Sequence, residues 1–148
     1  RNGDRQAAKQ VFQRAYELIP SYGYAGLCLF DMQVEDDELG AAATTLETLK
    51  LHVGGPFVIG KGIVYAAKTK NRESARQLLT ELCAEPIENP WPLRTAYQSM
   101  NEQTWRSDVC EVIEAAFQQP NIAEELGAIW VQAQTQSGNW KLGPQLQA

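Results

Sequence analysis

The run GPFVIGKG (Gly55 to Gly62) spells the GxxxxGK of a phosphate-binding loop as far as Lys61. That loop works by wrapping backbone N–H groups around phosphate oxygens, and it needs a Ser or Thr after the Lys for magnesium and a strand before it. Here Gly62 follows the Lys, and the preceding TLETLKLHV reads as helix. Gly54, Gly55 and Pro56 are therefore expected to break one helix from the next, with Gly60 letting two helices approach closely. No cofactor is expected.

The other chemistry-bearing residues are equally sparse. His52, the only histidine, falls in the last turn of an expected helix, where an imidazole complements the helix dipole, and it has no adjacent nucleophile or ligand set. The acidic EDDE (Glu35 to Glu38) lacks the alternating oxygen ligands and the glycine of a calcium loop, so it reads as an exposed turn and helix start. No metal site is expected. Cys28, Cys83 and Cys110 are far apart and form no CxxC pair, which indicates neither a disulfide framework nor a zinc site, and points mildly to a reducing, cytoplasmic compartment. Trp130 falls in a core register, Trp105 and Trp140 follow turns, and Trp91 is the one tryptophan expected at the surface. No catalytic residue emerges, and the chain is not expected to be an enzyme.

Composition bounds the remaining classes. With 148 residues, 44% of them hydrophobic and 21% charged, the chain fits one folded, soluble domain. Its apolar stretches are too short, or broken by Lys61, to span a bilayer, so no membrane partner is expected. A net charge of −5 argues against nucleic acid, whose binding needs an excess of Lys and Arg. Bases concentrate between Lys61 and Arg76, and acids in EDDE and from Glu81 to Glu125. The chain starts at Arg1 and its opening helix carries no partner of the other helix type, so it is expected to be a piece of a longer protein, begun inside a repeating unit.

Two kinds of apolar pattern alternate along the sequence. One kind reads Ala8, Phe12, Ala15; then Ala42, Leu46, Leu49; then Ala75, Leu79, Leu82; then Asp108, Val112, Ala115. The other, at i, i+3, i+4 and i+7, reads Gly26, Leu29, Phe30, Gln33; Gly60, Ile63, Val64, Ala67; Leu93, Ala96, Tyr97, Met100; and Leu126, Ile129, Trp130, Ala133. Both step by 34, 33 and 33 residues, which places a one-residue loss near Lys70-Asn71 and another near Gln103-Thr104. The spacing predicts helices near 4 to 19, 22 to 35, 38 to 53, 57 to 69, 72 to 84, 91 to 101, 105 to 118 and 122 to 137, with no sheet.

These residues resemble the tetratricopeptide repeat family, whose pattern joins a W-x2-L-G-x2-Y helix to an A-x3-F…P helix at a period of about 34. The resemblance covers nearly the whole chain. Its first-helix glycine is replaced by Phe30, Val64, Tyr97 and Trp130, and Asp108 stands where a small residue is usual. The resemblance implies an all-α fold, a right-handed superhelical stack of antiparallel helix pairs (an α-solenoid) of about eight helices. The units would be the second helix of a partial repeat at 1–22, repeats at 23–56, 57–89 and 90–122, and a capping helix at 123–140.

It also implies a concave face lined by the first helices. Carried over, its positions are Tyr24, Leu27, Asp31 and Val34; Val58, Lys61, Tyr65 and Lys68; Trp91, Arg94, Gln98 and Asn101; and Glu124, Gly127, Val131 and Gln134. The centre of such a face is basic and aromatic, suited to an extended acidic peptide with an apolar anchor. The family's clamp for chaperone tails is not matched: Lys61 fits its first position, whereas Tyr65, Thr95, Glu124 and Ala128 fill the others.

The function expected is a protein–protein interaction module that presents a groove to a protein or peptide. The alternatives are a regulatory or scaffold domain of a larger enzyme, such as a transferase, and a homotypic assembly element. The last is motivated by Val11, Phe12, Ala15 and Leu18, an apolar face on the opening helix that is expected to support weak self-association.

Overall fold

The computed structural model describes residues 2–116 and 124–136, and these form eight α-helices and no strand. In order they are α1 (Asn2–Leu18), α2 (Gly23–Glu35), α3 (Leu39–His52), α4 (Pro56–Lys68), α5 (Arg72–Ala84), α6 (Trp91–Glu102), α7 (Arg106–Ala116) and α8 (Glu124–Gln136). The boundaries have local causes. Pro occupies the first turn of α4 and of α6, where its missing N–H costs nothing. The Asn71 side chain caps α5 by accepting from the Ser74 N–H at 3.1 Å. Gly54 and Gly55, with φ of 66° and 86°, carry the break between α3 and α4, a conformation that glycine adopts without strain.

Helices α2, α4 and α6 all terminate alike. After each comes one residue in the left-handed conformation, Asp37, Lys70 or Thr104, with φ of 60°, 58° and 63°. The next N–H bonds back to the carbonyl five residues earlier: Glu38 to Gln33, Asn71 to Ala66 and Trp105 to Met100, at 2.8, 2.8 and 2.9 Å. The left-handed residue itself bonds to Val34, Ala67 or Asn101. This pairing satisfies carbonyls the helix end would otherwise leave open.

The three turns fix the register independently of hydrophobicity, and they correct the expected one. Counted from them, Phe30 corresponds to Ile63 and Tyr97, and Ala42, Leu46 and Leu49 correspond to Ala75, Leu79 and Leu82 and then to Val109, Ile113 and Ala116. All of these are buried. The step is thus 33 and then 34 residues, so the turn at Gln103-Thr104 has lost nothing. Val64, expected in the core, is only half-buried, and Ala115 is exposed. The sequence pattern missed the shift because Val112 is buried as well, so an apolar spacing from Asp108 looked as good as one from Val109.

Helix directions follow from the contacts. A Cβ on Gly26, early in α2, would lie 2.6 Å from Tyr16 Cε1 and 2.7 Å from Leu49 Cδ2, atoms late in α1 and α3. Helix α2 is therefore antiparallel to both, and only glycine permits so close a crossing. At Gly60 the neighbour is the Pro92 backbone, 3.4 Å from where a Cβ would stand, which seats α4 against α6. Helices α5 and α7 run side by side in the same direction, joined near their starts through Arg72, Arg76 and Asp108.

The core falls into two clusters that meet at α4. Tyr16, Leu29, Phe30, Leu46 and Leu49 gather with Val58 on one side. Ile63, Leu79, Leu93, Met100, Val109, Ile113 and Trp130 gather on the other. Trp105 is buried as expected for a residue packed between helices, and Trp140 lies outside the described residues.

Candidate peptide-binding groove and charge networks

Of the concave positions, nine are those expected to contact a partner (Tyr24, Asp31, Lys61, Tyr65, Lys68, Trp91, Arg94, Gln98 and Asn101), and the structure places them in different settings. Tyr24, the second residue of α2, is 62% exposed, its ring edge-on to Phe12 with centroids 6.1 Å apart and next to Tyr22 at 6.3 Å. In the middle, Lys61 Nζ lies 2.7 Å from Asp31 Oδ1, an ion pair that ties α4 to α2. With its side chain 14% exposed, Lys61 is not the open positive charge that the sequence suggested. Tyr65 packs against the α1–α4 cluster, and Lys68, at the end of α4, is exposed.

Three of the nine do converge. Arg94, Gln98 and Asn101, one turn apart on α6, form one wall of a groove of about 360 Å3, and Ala128 and Gln132 of α8 form the other. The floor is Tyr97 and Ile129. The Tyr97 hydroxyl donates to the Gln136 carboxamide and so fastens α6 to α8. The Asn101 carbonyl oxygen accepts from Arg106 Nε, which leaves its N–H groups to act as donors. Trp91, 61% exposed at the start of α6, stands on the same helix. Burial removes Val34, Val58 and Gln134 from the concave face that the resemblance implied. For Val58 the cause is the register shift: counted back from the turn, its place corresponds to Ala25 and Pro92, both buried. The side chain of Glu124 lies outside the described residues. Ala128 and Gln132 were missed as groove residues; their signal is the i, i+4 spacing around buried Ile129.

Sequence reasoning also missed two charge networks. The acids of EDDE are engaged: Arg5 reaches Glu35 at 2.8 Å and Asp36 at 2.6 Å, and Lys9 bridges Asp36 at 2.6 Å and Glu38. Lys9, with Arg5, holds the Asp36 carboxyl below its ordinary pKa. In the second network Asp108, buried at the start of α7, takes both Arg72 and Arg76, and Arg76 continues to Glu111. In either case the cations are four residues apart on one helix, the only signal in the sequence.

The residues set aside as reagents are placed accordingly. From Pro56 the GxxxxGK run is helix, so from Ile59, which bonds to the Gly55 carbonyl at 3.1 Å, its N–H groups turn back into the helix and do not form a phosphate-wrapping loop. Burial pushes the Cys83 thiol up to about 12 and the Cys110 thiol upward, far from the thiolate that reactivity requires. His52 is exposed at the end of α3. Among the described residues no helix is long and apolar enough to cross a membrane. Comparison of the chain with protein-family models, with curated proteins and with solved structures finds no match.

Proposed function

We propose that this chain is a protein-interaction module built as a tetratricopeptide-like, right-handed superhelical stack, and that the α6–α8 groove holds an extended acidic peptide. The observation that carries the reading is the convergence of Arg94, Gln98 and Asn101 opposite Gln132. A guanidinium and amide donors along one wall suit carboxylates and peptide carbonyls. Exposed Trp91 supplies an apolar anchor, since tryptophan is favoured at such contacts. Lys68, exposed at the end of α4, adds a second positive charge for an acidic partner.

The test is retention of a random peptide library. Acidic peptides are retained over basic ones, and added salt weakens retention because exposed charges are screened over about 8 Å at physiological ionic strength. Reversing Arg94 and Lys68 to Glu removes the preference with little change in melting temperature. Equal retention of acidic and basic peptides by the unaltered protein overturns the reading.

A second reading, self-association through α1, rests on Val11, Leu18 and Ile19, all exposed along that helix and its end. Ala7, Val11, Ala15 and Leu18 form a shallow apolar groove there, of the kind that becomes a contact. A light-scattering mass that stays monomeric at high concentration rejects it.

A further inference from the structure

The link between α5 and α6 runs over residues 85–90, EPIENP, whereas the link between α3 and α4 takes only residues 53–55. The longer link makes a wall. With Pro56 and Phe57 from the first turn of α4 it encloses a cleft of about 350 Å3, within the roughly 300–1,000 Å3 range of small-ligand pockets. Buried Leu82, Pro92 and Leu93 also line it.

The cleft is shaped before anything enters it. Pro86 and Pro90 restrict the link, Ile87 packs on the larger core cluster, and the Asn89 side chain accepts from the Trp91 N–H at 2.9 Å. Below, the close approach of Gly60 to Pro92 seats α4 against α6. A ligand therefore pays little to order its site.

The lining says what kind of ligand fits. It is mostly apolar, and Phe57, at 38% exposed, is a large ring left partly open to solvent. Its charges are all of one sign: Glu85 and Glu88 are exposed, among the described residues neither is ion-paired, and no Lys or Arg lines the cleft. An acidic segment is repelled, and a bare cation leaves the apolar lining wet. A neutral apolar side chain fills the cleft but leaves both carboxylates without a counter-charge. The complement is an apolar side chain with a cation close by. In an extended segment residues i and i+2 point to the same side, so the base stands two positions from the apolar anchor.

We infer that the cleft between the start of α4 and the α5–α6 link is a second docking site, one that takes a partner segment in which Lys or Arg stands two positions from a large aliphatic residue. It shares no lining residue with the α6–α8 groove and does not depend on the reading of that groove. One anchor and two solvent-screened ion pairs give a short peptide a Kd on the order of 1 mM, too weak to retain a library peptide.

The experiment titrates four capped tripeptides, Leu-Gly-Lys, Leu-Gly-Gln, Leu-Gly-Glu and Ala-Gly-Lys, against the full chain while the Leu82, Ile87 and Leu93 methyl resonances are followed. Leu-Gly-Lys shifts them at the lowest concentration and Leu-Gly-Glu at a higher one than Leu-Gly-Gln. Added salt closes the gap between the Lys and Gln peptides, as screening requires. Glu85→Gln with Glu88→Gln keeps the shape and weakens Leu-Gly-Lys by about fivefold, the worth of two exposed ion pairs, with little change in melting temperature. Phe57→Ala weakens both the Lys and the Gln peptide. Equal shifts from all four peptides, or none from any, overturn the assignment. So does a double glutamine variant that melts lower yet binds Leu-Gly-Lys unchanged, because the two acids then serve only the start of α6. Charge reversal at Arg94 and Lys68 leaves these shifts unchanged, and the double glutamine variant keeps the acidic preference of the α6–α8 groove, so the two sites fail independently.

Discussion

Arg76 Nη1 lies 2.8 Å from Asp108 Oδ1, joining the fifth residue of α5 to the third of α7. The pair is lopsided, since the Asp108 side chain is 9% exposed and that of Arg76 is 43%. Deleting one end is therefore not equivalent to deleting the other. Asp108→Ala frees Arg72 and Arg76 to rehydrate, and after allowance for solvent screening costs about 1 kcal/mol. Arg72→Ala with Arg76→Ala strands a buried carboxylate and costs about 3 kcal/mol or more. Urea denaturation of the three proteins checks the order, and equal losses contradict it.

The corrected register is testable at adjacent residues. Ala116 is buried in the place corresponding to Leu49 and Leu82, whereas Ala115 faces solvent. Ala116→Leu forces extra volume into a packed core and costs about 1–3 kcal/mol. Ala115→Leu stays within about 0.5 kcal/mol of the parent. Leu79→Ala, fully buried in the larger cluster, costs about 2–5 kcal/mol. Melting temperatures that rank the alanine variants the other way restore the uncorrected spacing.

Acid sensitivity follows from Asp36. Lys9 first, and then Arg5, hold its pKa below the ordinary 3.8, so folding favours the ionised form. The stabilisation is complete above the unfolded-state value and is lost as pH falls through the lowered one. Asp36→Asn removes it. The melting temperature of the parent exceeds that of the variant by a constant amount above about pH 5, and the gap closes in stronger acid. A gap that persists unchanged through the acid limb contradicts the assignment.

Much of the fold is legible in the residues because burial in a helix stack repeats. Positions such as Leu29, Phe30, Leu46 and Leu79 recur at helical spacing, and the turn residues between them punctuate the chain, so helix number and boundaries followed from pattern. The register was less legible. Where a helix buries two adjacent residues, as α7 buries Val112 with Ile113, periodicity admits two alignments, and only the hydrogen bonds after Thr104 choose between them. The groove was less legible still. Lys61 looked free because Asp31, 30 residues away, had no reason in the sequence to be its partner.

The sequence by itself therefore determined the eight helices of the described residues, their alternation and most of their buried faces, since those depend on short-range spacing and on the affinity of apolar side chains for one another. Only the tertiary structure decided which charges are spent and which surfaces remain open. Asp108 became a buried anchor, and EDDE became a clasp on α1. Each outcome depends on the distance between helices distant in sequence, which the glycine contacts and long-range ion pairs set and no local pattern records.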